Sequence, residues 1–396
     1  MKPSFFFLFL LALFGSSSLS SQDFKLSRYA TVSILHCEPG SELYSSFGHS
    51  AIRIQDPILD LDLIYNYGIF DFYAPGFYTN FVNGKLTYSL GRQYFSDFIF
   101  EYDIQERGVV EQVLDLGPSE KNALLNFLEK NYLPENREYA YDFLYDNCAT
   151  KIRDLLEDKS LFPGISRTRL AAKSDKSFRD LISEKLAPNN WPLFGINMLL
   201  GAVVDKKTSW RDAQFLPEYL HKQMEDYSIR GLPLVASESQ IITPKKTSTK
   251  KIFLWKTPAF WSILILFITI ASSLFEYFGS YRFSWFNRSL FFISGTVSLL
   301  LIYLWFFSDH ATVVNNYNLL WASPLCLILF GYSFKKQNKR SSLVASIFFL
   351  CLLATPIVHL IGLQKLDLLF FPIIASLAIR TLPLLYKKNR LIETFV

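Results

Sequence analysis

After the lysine-rich stretch "TPKKTSTKK", Thr243 to Lys251, this 396-residue chain changes character. Five apolar runs follow, at about 258–275, 289–307, 319–334, 343–361 and 366–386. A helix needs ~20 apolar residues to cross the hydrocarbon of a bilayer, and most of these runs approach that length. The third is short and carries Pro324, so its depth is the least certain of the five. Lipid offers no partners for backbone N–H and C=O groups, so such runs fold as helices. Residues 258–396 are therefore expected to form an all-α, five-helix transmembrane domain, joined by a basic linker, 243–257, to whatever precedes it.

Lysine and arginine placement sets the orientation. With the first large domain outside, the inner segments carry Arg282 and Arg288, then Lys335, Lys336, Lys339 and Arg340, then Lys387, Lys388 and Arg390. The outer loops 308–318 and 362–365 hold only Lys365. This agrees with the positive-inside rule; the linker lysines dissent, but residues beside a long translocated domain weigh little in it. At the N-terminus, Lys2, the apolar Phe5 to Phe14 and Ser18-Leu19-Ser20 read as a secretory signal peptide over 1–20. Residues 21–242 then form an extracytoplasmic domain.

That domain begins with strands. The segments 29–36, 48–54, 63–69, 86–95 and 109–116 are rich in β-branched and aromatic residues and are separated by Gly, Pro, Asn and Asp. The period then changes to helical at 118–133, with Pro134 as the stop, and again at 148–158; further helices are expected at 177–186, 193–204 and 215–225. Strands followed by helices indicate an α+β architecture. The formal charge is only +5, and the chain lacks basic–aromatic interleaving, zinc-knuckle spacing and a Gly-rich phosphate loop. Nucleic-acid and nucleotide chemistry are not supported.

The segment "YAYDFLYDNCATKIRDLL", Tyr139 to Leu156, holds the chemical interest. Cys148 falls where a helix should begin, with Asp146 or Asn147 as its cap. Unpaired N–H groups and the positive end of the macrodipole lower a thiol's pKa there, and the same groups could hold an oxyanion. Cys37 shares the oxidising compartment, so a disulfide between the two is an alternative. Cys326 and Cys351 lie in membrane runs and are read as packing. Of the outer domain's histidines, His36, His49 and His221, only His49 opens a strand after a glycine. Alternation places His49, Ala51 and Arg53 on one face, more polar than that of Ser50, Ile52 and Ile54. Arg53 is a candidate for a phosphate or carboxylate, with a surface salt bridge as the alternative.

The pair "FGHSAIRI" and "YDFLYDNCATKIRDLL" resembles the circularly permuted papain-like fold of lecithin–retinol acyltransferase and its relatives, related in permuted order to NlpC-type peptidases. Together with "CEPGSELYSSFGHSAIRI", "YNYGIFDF", "FLPEYL" and "DHATVVNNYNLLWASP", it resembles the Lnb-type bacterial lipoprotein N-acyltransferases over nearly the whole mature chain. The resemblance implies a multi-pass protein of the bacterial inner membrane with its catalytic domain in the periplasm. It further implies Cys148 as nucleophile and His49 as base, and no cofactor or metal. The orienting third group is expected on the strand after the histidine: Asn66 first, Asp71 second.

A five-helix tail suits a lipid substrate better than a soluble one. The outer segment 308–318 offers Asp309, His310, Asn315 and Asn316 to a headgroup or an acceptor, or is a plain connecting loop. The expected reaction moves an acyl chain from a phospholipid through a Cys148 thioester to the N-terminal amine of a diacylated lipoprotein. Its rivals are a cell-wall amidase or endopeptidase using the same Cys–His dyad, and a non-enzymatic membrane module stapled by a Cys37–Cys148 bridge.

Overall fold

The computed structural model describes residues 25–167, 173–244, 253–279 and 281–385. The expected signal peptide lies outside them, as does most of the basic linker. Seven strands build one antiparallel sheet: β1 (Thr31–Cys37), β2 (His49–Asp56), β3 (Leu61–Ile69), β4 (Thr87–Tyr94), β5 (Val109–Leu114), β6 (Glu138–Ala140) and β7 (Val235–Ile242). Their spatial order is β7-β5-β1-β2-β3-β4-β6. Around the sheet lie α1 (Phe77–Asn83), α2 (Phe95–Ile104), α3 (Pro118–Tyr132), α4 (Cys148–Glu157), α5 (Phe178–Lys185), α6 (Trp191–Leu199) and α7 (Pro217–Gln223).

Both faces of the sheet are covered, which is why β1 and β2 are buried almost throughout, although β2 carries His49, Ser50, Arg53, Gln55 and Asp56. On one face Val32, Ile34, Ile52, Ile54, Tyr65 and Leu114 pack against Leu124, Leu125 and Leu128 of α3 and Ile152, Leu155 and Leu156 of α4. On the other, Leu35, Cys37, Ala51 and Ile64 pack against Phe98 and Tyr102 of α2. The histidine face of β2, expected to be the polar one, is therefore largely roofed by α2.

Three elements escape the sequence pattern. The aromatic run "LTYSLGRQYF" reads as strand to Phe95, yet the chain turns into α2 there. The short α1 has no buried residue; Phe77, Tyr78, Phe81 and Val82 stand at helical spacing, but none enters the core. The edge strand β7, "VASESQII", is mostly exposed and is held by its ladder to β5.

Beyond the sheet come α8 (Pro258–Phe278), α9 (Ser284–Phe307), α10 (Leu325–Tyr332), α11 (Lys339–Leu360) and α12 (Phe371–Leu385). Among the described residues, four helices are long and apolar enough to cross a membrane: Pro258–Phe278, Ser284–Phe307, Lys339–Leu360 and Leu368–Leu385. The segment Tyr317–Tyr332 is shorter; Pro324, which lacks an N–H, directly precedes α10. It nevertheless joins the two ends of the bundle. Asn318 bonds the outer domain through the carbonyl oxygens of Asn197 and Met198, whereas Ser333 is held by Arg288 near the far end of α9.

The two halves meet along α6 and the turn after it. Phe194 stacks edge-on against Phe370 at 4.9 Å. Asn197 donates to Asp367 at 3.0 Å, and Lys365 pairs with Asp180 at 2.7 Å. Asn316, fully buried, donates to the carbonyls of Met198 and Leu199 at 2.8 and 2.9 Å. At Gly201 any Cβ would lie 1.9 Å from the Val314 carbonyl oxygen, so the backbones touch. Removing one partner from such a buried contact orphans the others. Asn316→Ala should therefore lower stability by ~1–3 kcal/mol, read as a fall in the melting temperature of the full chain in detergent. Asn315→Gly, which keeps the left-handed φ of +58° and the carbonyl that accepts from Ala202, should change it little.

Candidate active site

The site is made where β2 and β3 part. Their ladder runs from Asp56↔Leu61 to Ile52↔Tyr65 and stops, leaving His49, Ser50 and Ala51 without a β3 partner. On the β3 side, pairing with β4 slips between Tyr67 and Ile69, at Gly68, whose φ of +97° suits glycine alone. Into the opening comes the first residue of α4. A Cβ built on Gly68 would stand 3.9 Å from that of Cys148. On the other side of the cleft, Gly48 has φ +80° and no room for a Cβ, which would lie 2.9 Å from the Cys37 carbonyl oxygen.

Asn147 fixes where α4 starts. Its Oδ1 accepts from the N–H of Ala149 at 2.9 Å and of Thr150 at 3.0 Å. Its Nδ2 donates to the carbonyls of Phe143 and Phe215, both at 2.8 Å. The Thr150 hydroxyl accepts from the Asn147 N–H, completing a capping box. Asp146, the other expected cap, instead pairs with Lys151 at 2.8 Å. Two first-turn N–H groups that the sequence would offer to an oxyanion are thus already held by Asn147.

Cys148 and His49, both half-buried, hydrogen-bond to one another. His49 Nε2 also meets Asn66 Oδ1 at 2.5 Å, which leaves Nδ1 for the sulfur. Asn66 sits on β3 one residue past the last β2 pair, on the His49 side of the sheet. Burial opposes charge on both partners, but their mutual attraction outweighs it. The imidazolium, together with the Ser50 N–H, holds the Cys148 thiol below its ordinary range. The Cys148 sulfur and Asn66 raise the imidazole above its own. Each group thus favours the charged form of the other, a thiolate beside an imidazolium.

The other titratable candidates differ. Cys37 is free and buried, and burial pushes its thiol up to about 12, so it is no nucleophile at neutral pH. Cys148 is free as well, so the stapling bridge considered from sequence is not formed. Burial and neighbouring His221 lower His36 to about 3, and it stacks on His221 at 4.5 Å.

Of the expected site residues, the structure brings together Cys148, His49 and Asn66. Asp71 is exposed and accepts from the Tyr73 N–H at 2.8 Å, in a turn beyond the site. Arg53 is neither free for a substrate nor at the surface. Buried beneath Phe95, it grips Asp62 through two bonds of 2.7 Å and Glu111 at 3.0 Å, because a guanidinium inside a domain must be paired. Asn315 and Asn316 belong to the interface between the halves, and Asp309 and His310 dock on α1: the Asp309 N–H bonds Asn83 O at 2.8 Å and His310 Nε2 bonds Phe81 O at 2.8 Å. Segment 308–318 is a clamp between domains.

Sequence reasoning missed the Ser50 N–H, Gly68, Tyr139 and Tyr141; each tyrosine lies close enough to Cys148 for its phenol to feel the sulfur's charge. A glycine inside a strand, as in "YNYGIF", was the available signal for Gly68. Among the described residues no group of three or more His, Cys, Asp or Glu could hold a metal ion.

Residues 19–183 match the family described as the Lnb N-terminal periplasmic domain, and residues 248–390 match the Lnb transmembrane domain. The two matches are in chain order and together cover well over half of the chain. It belongs to the Lnb family. The α+β part is thus its periplasmic domain and the helical part its transmembrane domain. No curated protein and no solved structure matches the chain.

The coupling between Cys148 and His49 has a measurable signature. Iodoacetamide should alkylate Cys148 as thiolate below the ordinary thiol range, the rate falling only as pH drops through the depressed thiol pKa. His49→Ala removes the cation, moves the profile to higher pH and slows alkylation at neutral pH at least about tenfold. Superimposable profiles would show that the two groups are not coupled.

Proposed function

We propose that this Lnb-family chain is a cysteine-dependent acyltransferase that carries a fatty acyl group from a phospholipid to the N-terminal amine of a diacylated lipoprotein. The observation that carries the reading is the hydrogen-bonded Cys148–His49 pair at the mouth of α4, in a periplasmic domain clamped onto a membrane bundle. A histidine strand ahead of a cysteine helix, with Asn66 on the next strand, supports a circularly permuted papain-like arrangement. The segment Tyr317–Tyr332, running between the two ends of the bundle, supports a fifth crossing, and the bilayer is the bacterial inner membrane.

In the first step the Cys148 thiolate attacks the ester carbonyl of the phospholipid. The ester C–O bond breaks, the His49 imidazolium gives its proton to the departing lysophospholipid oxygen, and a thioester remains. In the second, the lipoprotein's α-amine attacks the thioester, His49 takes the amine proton, the C–S bond breaks and the thiolate is restored. Dividing the exchange in two lowers each barrier. Cys148 is the first residue of α4, so its own N–H has no intrahelical partner and suits the oxyanion of each tetrahedral intermediate. Asn66 acts as a positioning residue, holding the imidazole ring toward the sulfur.

Full-length protein in phospholipid nanodiscs with a diacyl lipopeptide provides the test, followed by mass spectrometry. Cys148→Ala should reduce N-acylation by about 10³-fold or more. Asn66→Ala should lower kcat by up to about 10²-fold with little change in KM. Normal N-acylation by Cys148→Ala would sink the mechanism, and muropeptide release from sacculi without action on lipid would select a cell-wall peptidase instead.

A further inference from the structure

We propose that the aromatic lobe formed by residues 69–83 dips into the outer leaflet of the bilayer and receives a phospholipid acyl chain, leading it to Cys148. The second half of this proposal rests on the acyl-transfer reading above; the first does not.

The lobe is "IFDFYAPGFYTNFVN", with Asp71 as its only charge. Phe70, Phe72 and Phe77 pack on one another, with ring centroids 4.6 to 6.0 Å apart, and Tyr44 lies against the first two. This cluster turns large apolar side chains outward. Tyr73 is 95% exposed and Tyr78 72%, and Ile69, Phe72, Phe81 and Val82 are exposed as well. A contiguous apolar patch of this kind marks an interaction surface.

Its neighbours identify the partner. The Tyr303 hydroxyl of α9, an apolar helix long enough to span a membrane, bonds Asn83 Oδ1 at the end of α1. Asp309 and His310, which follow α9, bond the carbonyls of Asn83 and Phe81. At Gly84, φ +71°, a Cβ would lie 2.8 Å from the His310 nitrogen, so the lobe is seated tightly on the end of the span. The exposed aromatics therefore continue the lipid-facing surface of α9, whose last residues, Phe306 and Phe307, are themselves exposed. Amphipathic aromatic rings at that level favour the headgroup and upper acyl region. The occupant is the outer leaflet.

The lobe also borders the site. It starts one residue after Gly68, which stands against Cys148. Between it and β4 lies a cleft of about 330 Å³ whose lining mixes Ile69, Phe70, Phe77, Leu86 and Tyr88 with polar residues, Asp71 and Glu138 among them. Tyr88 stacks at 4.0 Å on Tyr141, whose phenol feels the Cys148 charge. Aromatic rings thus extend from the lipid surface toward the sulfur along a cleft that also offers polar groups to a headgroup.

Full-length protein carrying a benzoylphenylalanine photocrosslinker, reconstituted in phosphatidylethanolamine/phosphatidylglycerol nanodiscs, provides the test. Placed at Tyr78, the probe should capture phospholipid at least tenfold more than at Ile58, an equally exposed apolar site at the opposite end of the β2–β3 hairpin. Equal capture overturns the membrane contact. In the same discs Tyr73→Ser/Tyr78→Ser, with an unchanged melting temperature, should form acyl-Cys148 at least tenfold more slowly than the unaltered protein. Equal rates overturn the passage while leaving the contact to the crosslinks. Absence of acyl-Cys148 from the unaltered protein overturns the transfer reading and the passage with it, and the crosslinks still decide the contact.

Discussion

A hydrogen bond between an imidazole and a thiol carries every functional statement about this protein, and the fold must go to some trouble to permit it. His49 belongs to the sheet face roofed by α2, whereas α4 packs on the opposite face. Two side chains on opposite faces of a closed sheet cannot touch. They meet here because the β2–β3 ladder ends at Ile52↔Tyr65 and the strand beyond it bulges at Gly68. The parted strands expose Ser50 as an N–H donor to the sulfur, so the gap that admits the thiol also helps to stabilise it as an anion. Glycines with positive φ flank the gap: both torsions disfavour a Cβ, and at Gly48 there is no room for one either.

Rigidity comes from groups that never touch a substrate. Asn147 uses both its amide hydrogens and its oxygen on four backbone groups, so the start of α4 has no freedom to slide. Arg53 ties β2 to β3 and β5 through Asp62 and Glu111, on the strand that carries His49. Removing either partner would strand a buried charge, which makes the group structural however inviting its chemistry.

The membrane half extends the same logic. Segment 308–318, the loop after α9, grips the periplasmic domain at two places, α1 and the turn after α6. A domain held at several points cannot tumble above the bilayer, so its cleft keeps one orientation relative to the membrane helices. The polarity of that segment, which invites a ligand-binding reading in sequence, answers instead to buried carbonyls that needed donors.

The sequence by itself determined the division into an α+β part and an apolar helical part, because hydropathy and local periodicity are properties of neighbouring residues. It also determined the cysteine and histidine worth considering, since a capped helix start and a glycine before a strand are local signals, and it pointed to Asn66 through the family resemblance. Tertiary structure alone decided that α2 covers the histidine face, that β7 returns to the edge of the sheet beside β5, and that Arg53, Asn315 and Asn316 serve packing and docking. Those outcomes depend on which distant groups are left unpaired once the chain is compact. No local pattern reports a partner a hundred residues away.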